Sequence, residues 1–283
     1  MSNIEISKLT FAFIGAGNMS GAILGGMVNS GFPANKIIAT NRSEQKQQTL
    51  NEQFGVVTNL SNLDAINAAD VVVLGVKPQM MKTMLQELVE QGANFSNKLV
   101  ITVAAGLRVD SYKDILGHIR IIRAMPNTPS LVGQGVTGLF SGTELDLFGK
   151  DIIESDANIA SAIFAQVGQV VTVQQESGID YITAVSGSGP AYFFLFMELM
   201  SEKAESFGFT KEQAQNIVMQ TGLGAATMAN ESQHDFSQLR KNVTSPGGST
   251  EAAIKHFQSQ SLDKLVTGAL DAAVNRTQEM SKL

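Results

Sequence analysis

The stretch Phe11-Ala12-Phe13-Ile14-Gly15-Ala16-Gly17-Asn18-Met19-Ser20-Gly21 runs from an apolar strand through closely spaced glycines into a segment of helical character. Gly15 permits a tight turn, Gly17 lets the backbone approach a pyrophosphate, and the helix N-terminus offers free amides and a favourable dipole. Ser20 takes the third small-residue position, where Gly or Ala is more usual but serine still allows close packing of helix on strand. Glycine spacing alone is weak evidence. The strand before it, the helix after it and a second strand at the right distance make Gly15, Ala16, Gly17, Asn18, Met19 and Ser20 a dinucleotide-binding fingerprint.

Outward from this turn, short apolar runs alternate with amphipathic segments. Leu9 to Ile14, Lys36 to Thr40, Val71 to Val76, Leu99 to Val103 and Ile119 to Ala124 are expected as buried strands. Met19 to Asn29, Glu44 to Phe54, Leu60 to Asn67 and Met80 to Gln91 are expected as helices. Val136 to Phe140 and Gly168 to Val173 add two strands around a helical segment near Ala157 to Gln166. The alternation predicts an α/β Rossmann domain, a doubly wound parallel sheet, over residues 1–173. At 283 residues a second domain is expected, here 174–283.

The crevice of such a sheet lies at the strand C-termini, so the turns there should surround the cofactor. Where an acidic residue would hold the ribose of NAD, the sequence reads Asn41-Arg42-Ser43. Arg42 is placed to accept a 2′-phosphate and Ser43 to donate to it, which favours NADPH and leaves NADH possible. Arg42 also reads as an exposed arginine opening a helix. Val76-Lys77-Pro78, Ala104-Ala105 and Asn127 are expected around the ribose and nicotinamide, with Lys77 and Asn127 as the polar groups nearest the ring. A solvated surface lysine is nearly as good a reading of Lys77.

Composition narrows the function classes. Twenty Lys+Arg against 26 Asp+Glu give a net charge of −6 and no basic field for nucleic acid. There is no cysteine, and His118, His234 and His256 stand singly, so no metal site is expected. The N-terminal segment Met1 to Thr10 lacks an export signal, and no apolar run nears the ~18 residues of a membrane span, so a cytoplasmic protein is expected. The terminal Ser281-Lys282-Leu283 and the acceptor pattern Asn242-Val243-Thr244 are taken as chance matches.

From Asp180 the pattern is helical to the C-terminus. Pro190 suits the first turn of a helix to about Phe207, after a turn at Ser186-Gly187-Ser188-Gly189, and Thr210 caps the next, Lys211 to Met228. Gly222 and Gly224 within it mark close approach of another helix. Both helices are apolar nearly all round, so a homodimer is expected. Further on, Asn242-Val243-Thr244-Ser245-Pro246-Gly247-Gly248-Ser249-Thr250-Glu251 forms a polar, glycine-rich turn opening a helix. Amides from Gly247 to Thr250, with the Ser245, Ser249 and Thr250 hydroxyls, would hold a carboxylate. Ser249 or Thr250 would serve at the same time as helix cap.

With these motifs the chain resembles the pyrroline-5-carboxylate reductases along nearly its whole length. The resemblance is carried by the Gly15 to Ser20 fingerprint, Val76-Lys77-Pro78, Met125-Pro126-Asn127, Gly187-Ser188-Gly189-Pro190-Ala191-Tyr192 and, most specifically, Val243 to Thr250. Ser249 stands where the family often has Thr or Ala. The resemblance implies NAD(P)H-dependent reduction of the cyclic imine 1-pyrroline-5-carboxylate to proline. It implies a substrate carboxylate held by Ser245, Pro246, Gly247, Gly248 and Ser249, with Asn242 beside them. It also implies the Thr250 hydroxyl facing the ring nitrogen, and a homodimer that in the family often joins a ring of dimers. A protonated imine is already electrophilic, so no covalent nucleophile is required. Thr250 orients the nitrogen, and the proton comes through it or from water. Two alternatives are set beside this reading. The 3-hydroxyacid and 6-phosphogluconate dehydrogenases share the layout but need a general base such as a lysine on the first long helix of the second domain, and Ala191 to Met200 has none, Lys203 being the nearest. A nicotinamide-binding sensor would not require the second anion turn.

Overall fold

Four short runs of apolar residues, Phe11–Ile14 (β1), Ile37–Thr40 (β2), Val71–Leu74 (β3) and Leu99–Thr102 (β4), are buried at every position. Strands covered on both faces lose the polar alternation of half-exposed ones, which is why these read as continuous hydrophobic runs. The computed structural model describes residues 6–281. The residues numbered 1–5 and 282–283, parts of the N-terminal segment and terminal tripeptide above, lie outside the described residues.

Arg120–Met125 (β5), Gly135–Ser141 (β6) and Gly168–Thr172 (β7) complete a seven-stranded sheet of order β2-β1-β3-β4-β5-β6-β7. Helices Asn18–Asn29 (α1), Glu44–Phe54 (α2), Asn62–Ala68 (α3), Pro78–Glu90 (α4) and Val109–Leu116 (α5) make the crossovers. Leu145–Phe148 (α6) and Lys150–Phe164 (α7) lie between β6 and β7. Alternate residues of one strand feed opposite cores: Phe11 and Phe13 pack with Ile23, Leu24 and Phe164, whereas Ala12 and Ile14 pack with Leu85 and Tyr112.

One pairing departs from the expected parallel sheet, since β5 and β6 run antiparallel. The link from Pro126 to Gln134 holds only a short 3-10 turn, Thr128–Val132, and a parallel return needs about a dozen residues or more. Beyond β2, Val57 forms a parallel bridge with Ile38, an added sheet edge that no apolar run announced.

The segment after β7 is helical: Ser177–Ile182 (α8), a π-helix Thr183–Gly187, Gly189–Ser206 (α9), Lys211–Glu231 (α10), Phe236–Asn242 (α11), Ser249–Ser259 (α12) and Leu262–Met280 (α13). The boundary at 173/174 falls just after β7. By compactness Ser188–Ala272 form one unit, and the remaining described residues, up to Gly187 and from Ala273, form the other. α8 thus packs with the sheet, and its Asp180 is fully buried there. The expected turn at Ser186-Gly187 is instead the end of the π-helix.

Within the helical unit Thr210 caps α10 in a reciprocal capping box with Gln213. Gly222 admits α9, because a Cβ there would lie 2.6 Å from Met197 Cε. Gly224 has nothing within 4 Å, so its expected close approach is not made within this chain. Phe193, Phe194 and Phe236 are 70%, 65% and 81% exposed. Among the described residues no helix is long and apolar enough to cross a membrane.

Candidate active site

The turn from β1 into α1 is built by the sheet around it. Gly15 adopts φ +82, and a Cβ there would sit 2.5 Å from Val76 Cγ2 and 3.0 Å from the Val76 nitrogen. The N–H groups of Gly15 and Ala16 both donate to the Thr40 carbonyl, at 3.1 and 2.7 Å, and that of Gly17 donates to Gly15. Those amides are consumed. The first-turn N–H groups of Asn18, Met19 and Ser20 make no hydrogen bond among the described residues, leaving a positive helix end for a pyrophosphate. The Ser20 side chain is buried and faces inward, its Oγ where a Cβ on Gly75 would have to be. Its small side chain serves the close packing that was expected of it.

At the end of β2, Asn41 is scaffold. Its Nδ2 donates to the Ala16 carbonyl at 2.9 Å and its Oδ1 accepts from Ser43 N at 2.9 Å, joining β2 to the glycine turn. Ser43 caps α2 by accepting from Lys46 N and keeps its own O–H to give. Arg42 is exposed, has no carboxylate partner among the described residues, and rests with Nη2 3.4 Å from Met80 Sδ. No acidic side chain replaces it at this edge.

Lys77 is exposed at the N-cap of α4 and Pro78 fills the first turn, with half-buried Val76 behind them. Ala104 is buried and Ala105 half-buried, beside Gly106, which packs on Met280 of α13. Asn127 is anchored to the protein as well as standing at this edge. Its Nδ2 donates to the Ser186 carbonyl at 3.0 Å and its Oδ1 accepts from Val136 N at 2.8 Å, so each end of the carboxamide makes one bond to the protein, and the second Nδ2 hydrogen is not used by either. It joins β5, β6 and the π-helix through these bonds.

A cluster that no local motif announced lies behind this edge. Arg123, 1% exposed, pairs with Glu176 at 3.0 Å and approaches Asp180 at 3.7 Å, and Arg108 reaches Asp180 at 2.8 Å. Tyr112 and Thr102 share a 2.6 Å hydrogen bond nearby. Burial pushes the Tyr112 hydroxyl up to about 12, against the opposing effect of that bond. The partners sit 53 and 72 positions apart, so only the fold reveals them.

In the helical unit the turn between α11 and α12 is exposed, with Ser245, Pro246, Gly247, Ser249 and Thr250 all open to solvent. Gly247 takes φ +73, and the cap is Gly248 with no side-chain bond, so neither Ser249 nor Thr250 caps the helix. They are the first two helical residues instead. Two of the four amides expected to hold a carboxylate are already used: Gly247 N–H donates to Glu251 Oε2 at 2.8 Å and Gly248 N–H to the Ser245 carbonyl at 3.0 Å. The amides of Ser249, Thr250 and Glu251 remain open among the described residues, as do the Ser249 and Thr250 hydroxyls. Glu251 is held below the usual carboxylate range by the Gly247 N–H and then by Lys255 at 3.0 Å. Asn242 accepts from Gln238 at 2.8 Å and thereby finishes α11.

Residues 176–280 match the family described as pyrroline-5-carboxylate reductase dimerisation, and residues 10–106 the one described as NADP oxidoreductase, coenzyme F420-dependent. A pyrroline-5-carboxylate reductase of Vibrio alginolyticus is 45% identical over 274 residues, covering 96% of this chain and 97% of that one. The chain belongs to the pyrroline-5-carboxylate reductase family. A solved pyrroline-5-carboxylate reductase from Coxiella burnetii has a TM-score of 0.88 at 44% identity, covering 97% of this chain and 99% of that one. The Plasmodium falciparum pyrroline carboxylate reductase, solved with NADP bound, has a TM-score of 0.81 at 27% identity, covering 97% and 99%. Lys203, the lysine nearest to the Ala191 to Met200 stretch, sits in the last turn of α9, over the Phe207 ring.

Proposed function

We infer that this chain reduces 1-pyrroline-5-carboxylate to proline with a reduced nicotinamide cofactor. Full-length kinship with reductases of that name carries the reading, and the two helix-opening turns supply its chemistry. Asn18, Met19 and Ser20 offer backbone amides to the pyrophosphate, while Gly15, Ala16 and Gly17 shape the turn and Asn41 holds it. Bound reduced nicotinamide supplies the hydride. Arg42 and the Ser43 hydroxyl take the 2′-phosphate, which makes NADPH the preferred cofactor and NADH the weaker one. Val76, Lys77, Pro78, Ala104 and Ala105 line the ribose and nicotinamide, and Asn127 acts on that edge as a brace.

The open amides of Ser249, Thr250 and Glu251 receive the substrate carboxylate, within the turn from Asn242 through Ser245, Pro246, Gly247 and Gly248. The Thr250 hydroxyl orients the imine nitrogen. Transfer requires the imine carbon at near-contact distance from the hydride donor; the carbon gains the hydride, and the nitrogen keeps the proton that made it electrophilic. The exposed phenylalanines of the helical unit are covered in a homodimer, the dimers assemble further into a ring, and the enzyme works in the cytoplasm.

Mixing purified protein with 1-pyrroline-5-carboxylate and NADPH, with NADH and Thr250→Ala in parallel, tests the reading through loss of reduced nicotinamide absorbance. Turnover faster with NADPH and weakened by the substitution is expected. No oxidation of either cofactor by folded, dimeric protein would overturn it.

A further inference from the structure

Six residues, Val103 to Arg108, leave β4 and enter α5, and they carry Ala104 and Ala105 at the cofactor edge. Both ends of this loop are linked to one residue, Arg123, the first through its backbone and the second through its buried side chain. At its start, Thr102 is the register partner of Arg123 across β4 and β5. At its end, the Val109 N–H donates to Glu176 Oε1 at 2.8 Å, and Arg123 Nη1 donates to the same oxygen at 3.0 Å. Thr102, the loop, Glu176 and Arg123 therefore form a closed ring.

The rest of the cluster tightens it. Arg108, the last loop residue, donates to Asp180 Oδ2 at 2.8 Å and lies 3.9 Å from Glu176, so the carboxylates at the N-cap of α8 and within it grip the loop end. At the loop's start the Ala104 N–H donates to Thr102 Oγ1 at 3.3 Å. Stability alone accounts poorly for such a cluster. Arg123 Nε and Nη2 and Asp180 Oδ1 are buried without a hydrogen-bond partner, and buried ion pairs of that kind commonly add little over apolar packing. What the cluster does supply is a fixed path for the loop, as buried supporting groups do for a site that must be held to a fraction of an ångström.

We propose that Glu176, Asp180, Arg123 and Arg108 are positioning residues that set the path of the Ala104-Ala105 loop, and through it the binding and placement of the nicotinamide half of the cofactor. The proposal rests on the reading that this loop lines the nicotinamide. It has a signature that a merely structural cluster lacks, because the adenosine half of the cofactor meets other elements, the β1–α1 turn and the end of β2.

The test compares affinities for NADPH and for adenosine 2′,5′-bisphosphate, with kcat and thermal unfolding, in Glu176→Ala, Glu176→Gln, Arg108→Ala and Arg108→Lys. Glu176→Ala and Arg108→Ala are expected to weaken NADPH about tenfold and lower kcat by a similar factor, given what sub-ångström misplacement costs a reacting pair, with bisphosphate affinity unchanged. Glu176→Gln and Arg108→Lys, which retain an acceptor and a cation, should recover most of the loss. If Glu176→Ala does not fold, Arg108→Ala, altering a side chain 31% exposed, carries the same contrast. Equal weakening of both ligands, or of neither, overturns the clamp. Wild type that binds the bisphosphate and NADPH equally well would remove the nicotinamide reading itself and the clamp with it; wild type that distinguishes them, with variants that behave like it, removes the clamp alone.

Discussion

Two glycine-rich turns open helices in this chain, and they are held in opposite ways. The β1–α1 turn is wedged between strands: the Thr40 carbonyl takes two of its amides, Asn41 fixes its Ala16 carbonyl, and Val76 leaves no room for a side chain at Gly15. The α11–α12 turn is exposed and secured from within, by Glu251 four residues on and the Ser245 carbonyl three residues back. A parallel sheet preorganises the first turn whether or not a ligand is present. The second depends on hydrogen bonds in contact with water, each of modest net value, and can be tuned one residue at a time.

The largest effect that could break this contrast is at Gly15. Gly15→Ala, strained at φ +82 and in collision with Val76, is expected to lower NADPH affinity about 100-fold in a fluorescence titration, and a loss below tenfold would mean the sheet-bound turn is as pliable as the other. Next comes Thr250→Ala, which should cut kcat by about tenfold or more while leaving NADPH affinity as it was, since the residue orients the substrate alone. A fall in cofactor affinity there would end the division of labour between the turns. Arg42→Ala should raise the KM for NADPH about tenfold and leave that for NADH unchanged, which steady-state kinetics with both cofactors would read directly.

The smallest and finest test is at Glu251. Glu251→Gln keeps an acceptor for the Gly247 N–H but removes a negative charge beside the incoming carboxylate, so the KM for 1-pyrroline-5-carboxylate should fall about threefold. Glu251→Ala frees the Gly247 amide and loosens the turn, so the same KM should rise about threefold. Movement of both in one direction would show that charge, rather than the shape of the turn, governs substrate binding.

Much of the first region was legible because its signals are local. Buried parallel strands write themselves as apolar runs, and β1 to β4 lie where such runs predict them; β5, β6 and β7 also overlap the predicted segments. The start of α7 at Lys150 lies well before the helical segment near Ala157, and α5 is a helix that the sequence reading does not include. The cap of α12 was misassigned for a related reason: Ser249 and Thr250 are good caps by type, but the bond from Gly247 N–H to Glu251 draws the helix start back to Gly248. The bond from Asn127 to the Ser186 carbonyl is not legible in the sequence, because the two residues lie 59 positions apart.

Residue order by itself determined the alternation of strand and helix, the glycine that a left-handed turn requires, the absence of a carboxylate at Asn41-Arg42-Ser43, and the helical character of the chain's last part. Each follows from the chain's short-range stereochemistry or its composition, which act before any long-range contact forms. The tertiary structure alone decided which amides stay open for a ligand, that β6 returns antiparallel, and that Arg123 and Glu176 link the two ends of the Ala104-Ala105 loop. Those depend on which distant groups meet in a low-dielectric interior, where a buried charge must find its partner wherever the fold brings one.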